Sequence, residues 1–257
     1  MSENSVAAAP PPPPVAPPPT RTLGIWATLG WALLAFVVSQ AVCVVVVLVW
    51  FADRAPGSVA GITYDGTLVA LGALVTNPIM VVLLAGIARW RTGAGASWYL
   101  GLTGFTLRDF LVGFAVIALL AAAGDLMGPL LGIDIVPPFQ TEVFTSASAN
   151  GWLLWLVVAI VLVGPAGEEI LFRGFLFRGW VGPGARGIVA VVIISLLWAL
   201  MHVQYAWIFI AQIFVIGLVL GWIRWRSGSA LLTTGLHVLV NLESTIETLL
   251  KLGWLSV

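Results

Sequence analysis

In "LVGPAGEEILFRGFLFRGW" (162–180), Glu168, Glu169 and Arg173 stand inside one apolar stretch. An ionisable group within a membrane span is costly unless it finds a partner or serves a function. Glu169 and Arg173 are spaced i, i+4, so they can meet on one helical face as an internal ion pair. Glu168 points about 100° away from Glu169 and gets no such help from Arg173, so it is the residue most in need of a chemical role. Pro165 cannot donate to the carbonyl of Val161, and with Gly164 and Gly167 it opens the span just before the glutamates. Opened backbone at membrane depth must face protein or water. A water cavity beside Glu168 is the expectation.

The chain has two histidines, His202 in "SLLWALMH" and His237 in "GLHVLVN", and both fall in predicted spans. His237 and Asn241 are i, i+4, so both polar tips can point to one spot in a bundle. Hydrolysis of a peptide bond needs a base to activate water, donors for the oxyanion and a proton for the leaving amine. Glu168 and His202 have the chemistry for water activation and proton transfer, and His237 and Asn241 for the oxyanion. The same side chains also suit a hydrogen-bonded helix-packing cluster, and a protonatable midplane glutamate suits a small transporter. Residue types alone leave these readings open.

The elements that must position these groups are membrane helices. Of 257 residues, 60% are hydrophobic and 9% charged, with a mean hydropathy of +1.08. A soluble domain of this size needs far more charge on its surface. The expected fold is all-α: a polytopic integral membrane helix bundle of about seven (six to eight) transmembrane helices. The spans read as 24–51, 64–89, 109–132, 151–177, 188–204, 206–223 and 231–250. The turn near "HVQYAW" is so short that the fifth or sixth span is expected to be broken or tilted. The 133–150 segment, with Asp134 and Glu142 and no Lys or Arg, reads as a loop. Spans one to three hold few polar groups, chiefly Gln40, Asn77 and Asp125, whereas spans four to seven hold the residues above.

Arg21, Arg89, Arg91, Arg108, Arg178, Arg186, Arg224 and Arg226 fall on one side of this arrangement. The positive-inside rule then puts the N-terminus in the cytoplasm, and the expected location is the plasma (cell) membrane, as a multi-pass protein. Residues 1–22 form a Pro-rich cytoplasmic tail expected to be disordered and to act as a spacer rather than as a polyproline ligand. It lacks the pattern of a cleavable signal peptide. Residues 23–257 form the membrane domain, with a catalytic core at about 150–245. Zero net charge and the absence of a basic run argue against nucleic acid as a partner. The single cysteine, Cys43, has no partner for an intramolecular disulfide.

Three motifs in order, "EEILFR" (168–173), "WALMH" (198–202) and "HVLVN" (237–241), resemble those of the CPBP family of intramembrane endopeptidases. That family includes CAAX prenyl proteases and Abi-type, bacteriocin-immunity-like proteins. The glycine spacing of "FVIGLVLGWIRWRSGSALLTTGLHVLVN" resembles it too. The resemblance implies Glu168 and His202 on a catalytic water, His237 and Asn241 around the oxyanion, and Glu169 and Arg173 in support. One departure is Trp198, where phenylalanine is usual; as another aromatic residue it is expected to pack similarly. The family is often labelled metalloprotease, and Glu168, His202 and His237 would then form a zinc set with an open position. There is no HExxH, and each residue also has a metal-free role, so a glutamate-activated water without a tightly bound ion is the expectation. The expected partners are the lipid bilayer and a peptide or protein substrate reached from the membrane or its cytoplasmic face. A non-enzymatic immunity or scaffold protein is the alternative from another class.

Overall fold

A computed structural model describes residues 22–52, 64–93 and 95–255. The proline-rich tail lies outside the described residues. The described residues form helices α1 (Ile25–Phe51), α2 (Gly66–Thr92), α3 (Ala96–Leu100), α4 (Leu107–Leu130), α5 (Pro138–Ala149), α6 (Leu153–Trp180), α7 (Ala185–Leu200), α8 (Trp207–Ser227) and α9 (Ala230–Lys251). Five of these, α1, α2, α4, α6 and α8, are long and apolar enough to cross a membrane. The chain is an integral membrane protein of the all-helical kind. Each of the seven expected spans has a helical counterpart, although α7 and α9 are not among the five long and apolar enough to cross, and two further details differ. The 133–150 segment is largely helical, because Pro138 sits at the first turn of α5, where its missing N–H costs nothing. The fifth span ends at Leu200, so His202 lies in the turn before α8 rather than within a span.

Local chemistry sets several boundaries. The Asp65 carboxylate caps α2 by accepting from the backbone N–H groups of Thr67 and Leu68, and Gly93, at φ 69°, ends that helix in the left-handed region. Thr106 and Asp109 form a reciprocal capping box at the start of α4. The Ser229 hydroxyl accepts from Leu232 N–H and starts α9.

Helix α6 runs through the middle, packed against α1, α2, α3, α7 and α9. Its neighbours α7 and α8 approach closely because Gly217 and Gly221 lie one turn apart on α8. A Cβ on Gly221 would stand 2.8 Å from Val191, and one on Gly217 would stand 3.0 Å from Trp198. The outward face of α7, including Ile188, Val189, Val192 and Leu196, is exposed and apolar, as a lipid-facing surface must be. At one end of the bundle, Arg178 donates to the carbonyls of Trp98 and Tyr99, and Trp180 to that of Ile25. The Ala230 N–H reaches the Gly101 carbonyl at the same end. At the other end, Lys251 donates to Asp134 and joins α9 to the segment before α5.

Candidate active site

Helix α6 departs from α-geometry on both sides of its glutamates. Residues Ala159–Val163 and Ile170–Leu176 are π-helical, and Gly164–Glu169 between them is α-helical. The first π segment has a definite consequence. Gly164 N–H donates five residues back, to Ala159. The next N–H in line for the Ile160 carbonyl would come from residue 165, which is proline and has none. The Ile160 carbonyl is therefore left over, and Asn241 Nδ2 of α9 donates to it at 2.7 Å. Pro165 interrupts the helical ladder as its missing N–H requires, and the carbonyl that takes a donor from another helix is that of Ile160. Of the two N–H bonds on the Asn241 amide, one is taken by Ile160 and the other remains to donate elsewhere.

Glu169 is fully buried, and Arg173 Nη1 donates to its Oε1 at 2.8 Å, the i, i+4 ion pair read from the spacing. Oε1 also lies 3.1 Å from His237 Nδ1, so α6 and α9 are tied at this carboxylate. Arg173, also fully buried, donates from Nη2 to the Gly217 carbonyl at 3.3 Å and sits 4.4 Å from the Trp198 ring centroid. Arg224 Nε in turn donates to the Arg173 carbonyl at 2.8 Å. Glu169 and Arg173 thus pair their two charges inside the bundle.

Glu168 has a different partner. Trp198 Nε1 donates to its Oε2 at 2.6 Å. Its Oε1 lies beside Gly164, close enough that a Cβ there would be 3.9 Å away. Gly167 is needed one position earlier, because the Asn77 side chain of α2 fills the place where its Cβ would stand. The expectation that Trp198 packs like a phenylalanine is thus incomplete. A phenylalanine has no N–H to give.

His202 Nδ1 lies 2.9 Å from the Trp198 carbonyl. A carbonyl only accepts, so Nδ1 carries the hydrogen, and Nε2 of the neutral ring is an acceptor. The same logic applies to His237, whose Nδ1 faces a carboxylate. His237 Nε2 can donate to an oxyanion only as imidazolium, whereas the free Asn241 N–H donates in either state. The Trp198 ring is nearly perpendicular to both imidazoles, with centroids 5.4 Å from His202 and 5.1 Å from His237.

A cavity of about 440 Å³ opens against this group, its wall including Trp198, His202, Tyr205, His237 and Asn241. Glu168 is half-buried and joins that wall through Trp198, so the expected cavity borders its partner rather than the carboxylate itself. Farther along, the cavity reaches Asp125 of α4 and Glu243 and Glu247 of α9, whose carboxylate oxygens lie within 4.8 Å of one another. Sequence reading noted Asp125 but missed this acidic wall. The signal was the i, i+4 spacing of Glu243 and Glu247 on the helix that carries His237.

The zinc set weighed from the sequence does not fit this arrangement. Among the described residues, only Asp125, Glu243 and Glu247 bring three ligand atoms within 4.8 Å of each other; Glu168, His202 and His237 do not close to that distance. One Glu168 oxygen is moreover aimed at an indole N–H, a donor that competes with a cation.

Comparison with known proteins bears on the same part of the chain. An Escherichia coli protein described as an uncharacterized 24.3 kDa protein is 33% identical over 123 residues, which cover 44% of this chain and 52% of that relative. The chain thus spans about half the length of the curated relative it matches. No solved structure matches it significantly. Residues 150–242, the stretch that supplies α6, Trp198 and the two histidines, match the family model described as type II CAAX prenyl endopeptidase Rce1-like. Over those residues the chain is similar to the Rce1-like family of CAAX-type intramembrane proteases.

Proposed function

We propose that this protein is an intramembrane endopeptidase that hydrolyses peptide bonds of membrane-associated peptides or proteins by a carboxylate-activated water. The observation that carries this reading is the cavity wall on which His202, His237 and Asn241 meet beside the Trp198–Glu168 bond. Glu168 uses the oxygen left free by Trp198 to take a proton from water, and the resulting hydroxide adds to the scissile carbonyl carbon. The oxyanion accepts from the second N–H of Asn241, joined by His237 Nε2 when that ring is imidazolium. Collapse of the tetrahedral intermediate breaks the C–N bond, and the amine leaves with a proton relayed from Glu168 through His202 Nε2. Glu169 and Arg173 support the site by fixing His237 and α8. No step requires a metal ion.

The substrate reaches the cavity from the bilayer or the cytoplasmic face, with the N-terminus of the chain cytoplasmic and the protein in the plasma membrane. The test is cleavage of a quenched-fluorescent peptide library by protein purified into nanodiscs. Glu168→Ala and His202→Ala each abolish turnover while thermal melting stays near wild type. Retained turnover in both variants would falsify the assignment. The acidic wall of Asp125, Glu243 and Glu247 favours a second reading, a proton-coupled transporter. That reading calls for proteoliposome flux that depends on Glu168 without any cleaved product.

A further inference from the structure

Trp198 lies at the centre of the site, yet the hydrolytic scheme above asks nothing of it beyond its bond to Glu168. Its side chain is 3% exposed. A buried indole N–H must find an acceptor, and a half-buried carboxylate in a membrane bundle must find a donor. Each satisfies the other at 2.6 Å. The Trp198 carbonyl binds the Nδ1 side of His202 at 2.9 Å. One residue therefore fixes the carboxylate by its side chain and the imidazole by its backbone. The indole fits because Gly217 presents no side chain at the 3.0 Å approach. It is held from above by the Arg173 guanidinium, 4.4 Å from its ring centroid.

We propose that Trp198 is a positioning residue for Glu168: its indole N–H occupies Oε2 and so leaves Oε1, beside Gly164, to bind and deprotonate the attacking water. This inference rests on the endopeptidase reading. A carboxylate free to rotate exchanges its two oxygens and spends time out of line with the scissile carbonyl; one oxygen held by a donor leaves the other in a single place. Such preorganisation acts on the chemical step and not on substrate binding.

The test compares two replacements of Trp198 in the full-length protein in nanodiscs. Trp198→Phe removes the N–H and part of the ring. Site-specific replacement of Trp198 by the benzothiophene analogue of tryptophan removes only the N–H, with sulfur in its place. Both should lower kcat about 10- to 100-fold, the range for losing one hydrogen bond to a charged group, with KM within about twofold of wild type. A ¹⁵N spectrum supplies the second readout. The indole cross-peak that vanishes in Trp198→Phe should move upfield in Glu168→Gln, because an amide oxygen is a weaker acceptor than a carboxylate. Wild-type kcat with the benzothiophene, or an indole signal indifferent to Glu168→Gln, overturns the proposal while leaving the endopeptidase reading intact. Turnover undiminished by Glu168→Gln overturns that reading and the proposal with it.

Discussion

Helices α1 and α6 both cross the bundle, and they are built on opposite terms. The most apolar stretch of α1 is 22% buried, and valines such as Val45 and Val49 face outward along an unbroken α-helix. The corresponding stretch of α6 is 44% buried, and the helix as a whole carries Glu168, Glu169 and the buried Arg173 and changes helical register twice. Lipid offers no hydrogen bonds, so a helix exposed to it must satisfy its own backbone and carry only apolar side chains. A helix surrounded by other helices is released from both conditions, since neighbours can supply a donor for a loose carbonyl and a partner for a charge. Asn241 does the first for α6, and His237 and Trp198 do the second. Chemistry is concentrated in α6 because the other helices shield it.

The sharpest way to break this contrast is to remove one charge from α6. Glu169→Ala leaves Arg173 buried without its carboxylate and should cost about 3–5 kcal/mol, read as a large fall in the thermal midpoint in detergent. Val45→Leu, on the lipid face of α1, should stay within about 0.5 kcal/mol of wild type. Equal midpoints for the two variants would show that the difference between the helices is not energetic.

A finer cut uses the register change. Pro165→Ala restores an N–H that can reach the Ile160 carbonyl and so compete with Asn241. The expected outcome is a fall in kcat of about tenfold with little loss of thermal stability. In an Asn241→Ala background the same change should add almost nothing. Full additivity would mean that the proline and the asparagine act separately.

The smallest effect lies outside the membrane. Lys251 donates to Asp134 and holds that carboxyl below the usual carboxylate range. A lowered folded-state value adds stability above the unfolded-chain value near ~4 and loses it as pH falls through the folded value. Asp134 is 61% exposed, so the loss on acidification below about pH 4 should be under about 1 kcal/mol. Asp134→Asn should flatten that part of the melting profile, and an unchanged acid slope would dismiss the pair as a tie between α9 and the segment before α5.

What was legible in the sequence follows the same division. Lipid-facing helices reveal themselves by composition, and the bounds of α1 came within a residue. The Glu169–Arg173 pair was legible because both members sit on one helix at a spacing that geometry fixes. The bond from Trp198 to Glu168 was not, since it joins two helices and depends on how closely α7 approaches α8 at Gly217. Nor was the identity of the loose carbonyl. Pro165 announced that some acceptor would be freed, but which one depended on a π register set by packing. The acidic wall was missed for a like reason: Asp125 comes from α4, and only the bundle brings it to Glu243 and Glu247. Helix α5 was hidden by a segment too polar to be a span and too short to show a clear period.

Helix α7 is 16 residues long, which at ~1.5 Å per residue gives about 24 Å against a hydrocarbon layer of about 30 Å. Its neighbour α8, with 21 residues, meets that thickness. A bilayer of that thickness would have to thin to match the α7 face, at a modest elastic cost for each ångström of mismatch. His202 follows two residues after the helix ends at Leu200. Thinning there would draw headgroups and water toward the turn that carries it, so shorter acyl chains would relieve the deformation and longer ones increase it. Acyl-chain length would then act as a mechanical load on the part of the molecule where the proposed proton relay sits.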